Sequence, residues 1–86
     1  MNREKIKTII EEITGRTLER ENELLGSGIL DSMMTMMLVG RLEEEFGVSF
    51  DAEDFTHHNF NSMDAIEKLV SDKMNSLFPT LFLKVR

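Results

Sequence analysis

The sequence predicts an all-α fold, a small four-helix bundle of three main helices, one short helix before the last and a long first loop. Apolar residues recur at helical spacing in three separate stretches, whereas Val48 to Phe50 is too short for a convincing strand. With 86 residues, no Cys and one Pro, the chain has material for one core, which apolar packing alone must hold. A composition of 41% hydrophobic and 30% charged residues speaks against disorder and against a membrane protein.

The first helix reads over residues 3 to 13, where Ile6, Ile9, Ile10 and Ile13 share one face among charged neighbours, and Thr14-Gly15 stops it. From Arg16 to Leu30 no period is sustained. Gly26-Ser27-Gly28 marks turns, and Leu18, Leu24, Leu25, Ile29 and Leu30 predict an ordered loop pinned to the core. Asp31 or Ser32 then caps a second helix over Met33 to Phe46, closed by Gly47. This helix has two apolar faces. Thr35, Leu38, Val39, Leu42 and Phe46 form a core stripe, while Met33, Met36, Met37 and Gly40 fall in another sector, flanked by Glu43 and Glu44.

Asp51 is expected to cap a short helix through Phe55, anchored by Phe50, Phe55 and Phe60. Asn61 or Ser62 caps the last helix, in which Met63, Ile66, Leu69, Val70, Met74 and Leu77 keep helical spacing and which Pro79 is expected to end. The domain is thus expected over residues 1–78, with residues 79–86 an apolar tail that either folds back or pairs with another molecule.

The net charge of −6 argues against nucleic acid as a partner. Its distribution is more informative, because from Glu19 to Asp64 eleven carboxylates face only Arg20 and Arg41. Such an acidic middle steers basic protein surfaces toward it, although a solvated surface accounts for the charge equally well. The start of the chain has no apolar signal-peptide core and no run is long enough to span a membrane, so the cytoplasm is the expected location.

The chemistry concentrates in Leu25-Gly26-Ser27-Gly28-Ile29-Leu30-Asp31-Ser32-Met33, a glycine-bearing loop that delivers a serine to the start of a strongly patterned helix. Ser and Asp are both good helix caps, and by position alone capping is the simpler role for each. The wider pattern points elsewhere. Together with Leu42-Glu43-Glu44-Glu45-Phe46-Gly47 and Phe60-Asn61-Ser62-Met63, the Asp31-Ser32-Met33 signature resembles the acyl carrier protein family over roughly residues 3 to 75.

That resemblance implies a bundle of acyl-carrier type and a non-catalytic carrier. Ser32 would be the attachment point of 4′-phosphopantetheine, taken from coenzyme A by a phosphopantetheinyl transferase, with Asp31 supporting the modification. The thiol of the arm would hold an acyl or aminoacyl group as a thioester, loaded by a ligase or transacylase and consumed by downstream acyl-using enzymes. Met33 and Met36 match apolar partner contacts of the family, and Glu43 and Glu44 match its acidic ones. With Met37 on the same methionine face, these five are the candidate docking residues. A phosphodiester at a helix amino end also faces unpaired amides and the positive end of the dipole, which favour an anion.

Departures narrow the family reading. Fatty acid synthesis carriers commonly place acidic residues at the positions of Met34 and Met37, and Arg41 follows further along. The resemblance therefore leans toward dedicated D-alanyl, aminoacyl or polyketide carriers, and a monomer is expected. Catalysis by Ser32 lacks a held histidine and a GxSxG elbow. Metal binding finds no ligand pattern in Asp51-Ala52-Glu53-Asp54, and the adjacent His57 and His58 read as solvent-exposed. The alternative is a helical adaptor that binds a partner through its methionines with no prosthetic group.

Overall fold

A computed structural model describes the backbone of residues 2–85 and the side chains of residues 2–75. Helix α1 spans Asn2–Thr14, α2 Ser32–Phe46, α3 His57–Phe60 and α4 Met63–Val85, with a 3-10 turn at Ala52–Asp54 before α3. No strand forms among the described residues; the one β-bridge pairs Asn22 of the first loop with Ser62.

The apolar stripes meet in a single core. Ile6, Ile9 and Ile10 from α1 pack with Leu38, Val39 and Leu42 from α2, Phe60 from α3, and Met63, Ile66, Leu69 and Val70 from α4. The first loop adds Leu18, Leu24 and Leu30 to that interior, while Leu25 and Ile29 pack at its edge. Burial of these side chains explains how the loop between α1 and α2 stays ordered, since each large aliphatic removed from water contributes about 2 kcal/mol. Of the α2 stripe, Leu38, Val39 and Leu42 point into the core and Phe46 packs against it, whereas Thr35 stays outside. Gly47 ends the helix at φ 66°, a left-handed conformation that a Cβ would strain, and its amide donates to the Glu43 carbonyl at 2.9 Å.

Two expectations are corrected. Asp51 starts only a 3-10 turn, closed by the Asp51 amide donating to the Asp54 carboxylate at 2.7 Å. The short α-helix comes later, at His57–Phe60, where Thr56 Oγ1 accepts from the Asn59 amide at 3.1 Å. A four-residue helix with one core residue, Phe60, has no period to read. The expected stop at Pro79 is also not observed, because α4 continues through it to Val85. Proline removes one amide from the helical ladder at a cost of about 3 kcal/mol, a local loss that does not oblige its neighbours to leave helical dihedrals. Where the tail side chains of residues 79–86 lie falls outside the described residues.

Ion pairs tie the elements at their edges. The Arg3 guanidinium in α1 reaches Glu21 of the loop and Asp64 of α4, both at 2.6 Å, and Glu67 at 3.2 Å. Its hydrogen bonds to Glu21 and Asp64, which accept, hold its proton more tightly than usual. Lys73 Nζ in α4 reaches Asp54 at 2.7 Å and Asp51 at 3.2 Å, strapping the 3-10 turn to the bundle. Burial pushes the Asp54 carboxyl up, but the hydrogen bonds from Lys73 and the Asp51 amide outweigh it and leave it below the usual carboxylate range. The Asp54 hydrogen bond raises Lys73 against its own burial.

A depressed folded-state carboxylate stabilises above its unfolded pKa and loses that contribution as pH falls through the folded value, whereas the raised lysine contributes below its unfolded pKa, about 10.4. The strap is therefore complete from about pH 4 to about pH 10. Asp54→Asn should lower stability at pH 7 by about 1 kcal/mol, and urea titrations should show the gap to wild type closing below about pH 4.

Candidate functional site

The site begins with the cap of α2. Asp31 stands outside the helix at φ −110° and ψ −175°, and its Oδ1 accepts from the Met34 amide at 2.8 Å. Its carbonyl accepts from the Thr35 amide at 2.9 Å and the Thr35 hydroxyl at 2.7 Å. Asp31 therefore performs the capping by itself. Ser32, the first helical residue, is exposed, and its hydroxyl is not needed to end the helix.

The loop before it is clamped from below. Asn61 Oδ1 accepts from the Leu25 amide at 2.9 Å and the Gly26 amide at 3.1 Å, while the Asn61 carbonyl accepts from the Leu24 amide at 2.7 Å. In the opposite direction the Met63 amide donates to the Glu21 carbonyl at 2.7 Å. Past the clamp, Gly28 takes φ 87°, which turns the chain toward Leu30 and its buried seat in a conformation that favours glycine. The expected choice between Asn61 and Ser62 as cap is thereby settled: Ser62 Oγ accepts from the Ala65 amide at 3.0 Å, and Asn61 holds the loop.

The methionine face splits in two. Met33, Met36 and Met37 are 74%, 57% and 51% exposed, whereas Met34 is half-buried against the core. Glu44 is exposed, but Glu43 is half-buried and accepts from the Phe50 amide at 2.9 Å, so one of its oxygens serves the return of the chain after α2. Glu45 pairs with Lys5 at 3.6 Å and Arg41 with Glu12 at 2.6 Å, which neutralises the other charges at that end of the helix.

Beside Ser32 runs a groove of about 330 Å³ between α2 and α3, walled by Leu25, Thr35, Met36, Phe55, His57 and Phe60. Phe60 is buried and stacks with Phe55 at 6.3 Å between ring centroids, and Phe55 is partly exposed where it faces the groove. Of the predicted site residues, the structure brings Ser32 and Met36 into this groove and leaves Met33, Met37 and Glu44 on the outer surface. Two residues escape sequence reasoning. Asn61 reads locally as a cap, and its contact to the loop spans more than thirty residues of chain; His57 reads as a solvated polar residue, with no local signal that it borders the groove.

An exposed serine freed from capping, at a helix amino end and beside a mostly apolar groove, suits a tethered anionic arm whose body is only weakly polar. These features define a carrier that presents a covalently held group to other proteins. Residues 4–67 match the family described as "Phosphopantetheine attachment site". The chain is also similar to the D-alanyl carrier proteins of Lactococcus lactis subsp. cremoris strain MG1363 and subsp. lactis strain IL1403, at 35% and 34% identity over 74 residues. Each alignment covers 83% of this chain and 94% of the relative. The chain therefore belongs to the phosphopantetheine-binding carrier family, and its prosthetic group is a covalently attached 4′-phosphopantetheine. Carriers of this kind work with transferases and ligases. No helix among the described residues is long and apolar enough to cross a membrane.

Replacing Asn61 with Ala leaves the Leu25 and Gly26 amides without their side-chain acceptor. The expected loss is about 1 to 2 kcal/mol, with hydrogen exchange at those two amides rising more than at amides of the α1 core.

Proposed function

We propose that Ser32 is the modified residue and that the protein carries an aminoacyl group in a dedicated biosynthetic route. The observation that carries this reading is the division of labour at the start of α2, where Asp31 supplies the cap and Ser32 is exposed. In the modification, Ser32 Oγ forms the new bond to phosphorus, adenosine bisphosphate leaves from coenzyme A, and the hydroxyl proton passes to the transferase. Once attached, the arm supplies a terminal thiol that holds the cargo as a thioester. Asp31 positions Ser32 by fixing the first turn, and its carboxylate is the recognition feature for the transferase. Chemistry on the cargo belongs to the partner enzymes.

D-alanine is the first candidate cargo, because the relatives are named for it. An adenylating ligase is then the loading partner. Met33, Met36 and Met37 form an adaptable apolar docking face, with Glu44 and the outer part of Glu43 supplying charge for basic partner surfaces. A reducing compartment such as the cytoplasm suits a carrier whose working group is a free thiol. Residues 1–78 form the carrier domain and 79–86 an appended segment, and the carrier acts as a monomer. The adaptor reading gives way to family membership, since attachment of the arm is what that family is defined by.

Incubation with coenzyme A and a broad-specificity phosphopantetheinyl transferase should add one phosphopantetheinyl mass to the wild type and none to Ser32→Ala. A mass gain retained by Ser32→Ala would disprove the assignment. Asp31→Asn separates the two roles of Asp31, because asparagine caps as well as aspartate. Its stability should stay within about 0.5 kcal/mol of wild type while modification slows by roughly tenfold or more, measured by intact mass against time.

A further inference from the structure

Among the described residues, the groove beside Ser32 is lined by one titratable side chain. Leu25 comes from the loop, Ser32, Thr35 and Met36 from α2, and Phe55, Thr56, His57 and Phe60 from the chain around α3, so among the described residues His57 alone can carry charge there. The neighbouring charges are turned to other tasks. Asp31 binds the Met34 amide, Asp54 binds Lys73, and His58, although adjacent in sequence, does not line the groove. The basic residues nearest in sequence are also engaged, Arg20 with Glu23 at 4.0 Å and Arg41 with Glu12 at 2.6 Å.

An anion on Ser32 would therefore stand next to the Asp31 carboxylate within the acidic middle of the chain, with no lysine or arginine among the described residues of the groove wall. Like charges in sequence neighbours repel, and the helix amino end offsets this only in part. His57 is the group in that wall able to supply the missing positive charge, and imidazole does so in the pH range where other side chains are fixed in charge.

We propose that His57 is the positioning residue for the phosphodiester at Ser32, pairing with it across the groove when protonated and so setting the course of the arm along Phe55 and Met36. This rests on the reading that Ser32 bears the arm. The wall residue acts on placement of the arm and takes no part in any reaction of the cargo. The imidazolium holds the anion, and loss of its proton weakens the hold to a neutral hydrogen bond, leaving the arm freer to reach partners.

The test uses apo and holo protein, with intact mass measured first. No mass gain at Ser32 defeats the assignment of the arm to Ser32 and with it the pairing, whereas a complete gain upholds that assignment and leaves the pairing with His57 to be decided by titration. The ring protons of both histidines are then titrated by NMR from about pH 5 to about pH 8. The His57 midpoint should be higher in the holo than in the apo protein by roughly 0.3 to 0.7 pH units, the size expected of an exposed ion pair. The shift at His58 should be clearly smaller. The phosphorus resonance of the holo protein should titrate with the His57 midpoint in wild type and in His58→Gln, lose that titration in His57→Gln, and be locked at one position in His57→Arg. Both histidines are exposed, so these variants keep the fold. Equal His57 midpoints in fully modified and unmodified protein, or a phosphorus titration that survives His57→Gln, would overturn the proposal.

Discussion

The place of Ser32 depends on a reciprocal backbone clamp between the first loop and the entry to α4. The Leu24 amide donates to the Asn61 carbonyl and the Met63 amide donates to the Glu21 carbonyl, both at 2.7 Å, while the Asn61 side chain takes the next two amides of the loop. A long irregular segment has many backbone groups that water would otherwise satisfy, and its ordering costs about 1 to 2 kcal/mol per residue. Here the amides that matter find partners in the entry to α4, and Leu18, Leu24 and Leu30 offset the entropy by burial. Without that clamp α2 would still be a helix, but its first residue would have no defined position against α3.

The ionic contacts are arranged around the clamp and not within the core. No polar or charged residue is buried among the described residues, and no buried side-chain polar atom there lacks a partner. Arg3 gathers carboxylates from the loop and α4, and Lys73 gathers the two aspartates of the 3-10 turn. Single exposed pairs contribute little, but each of these cations joins segments far apart in sequence. Lys73 thereby steadies the turn that leads into Phe55, a wall of the groove beside Ser32.

Helix α2 divides its surface between folding and encounter. Leu38, Val39 and Leu42 are consumed by the core, so Met33, Met36 and Met37 remain at the surface as flexible, exposed thioethers. Arg41 and Lys5 cancel Glu12 and Glu45, and one oxygen of Glu43 serves the turn after α2, while Glu44 faces outward at that helix end. The surface next to Ser32 is accordingly apolar first and acidic further along.

Periodicity is a local property, and for that reason the three main helices, most of their core stripes and the exposed methionines are legible in the sequence, although Met74 keeps the α4 spacing and is nevertheless exposed. The presented serine is legible as well, because Asp31-Ser32-Met33 and the acidic end of α2 stand at distances that resemble a known family. The 3-10 turn and α3 are too short for any period to accumulate, and passage of α4 through Pro79 is a balance of backbone terms that a single proline does not reveal. Tertiary structure alone decided that Asp31 and not Ser32 caps α2, that Asn61 holds the loop, and that His57 shares a wall with Ser32. Each is a contact or a choice between adjacent rotamers made only when distant segments come together, and spacing along one chain carries no record of it.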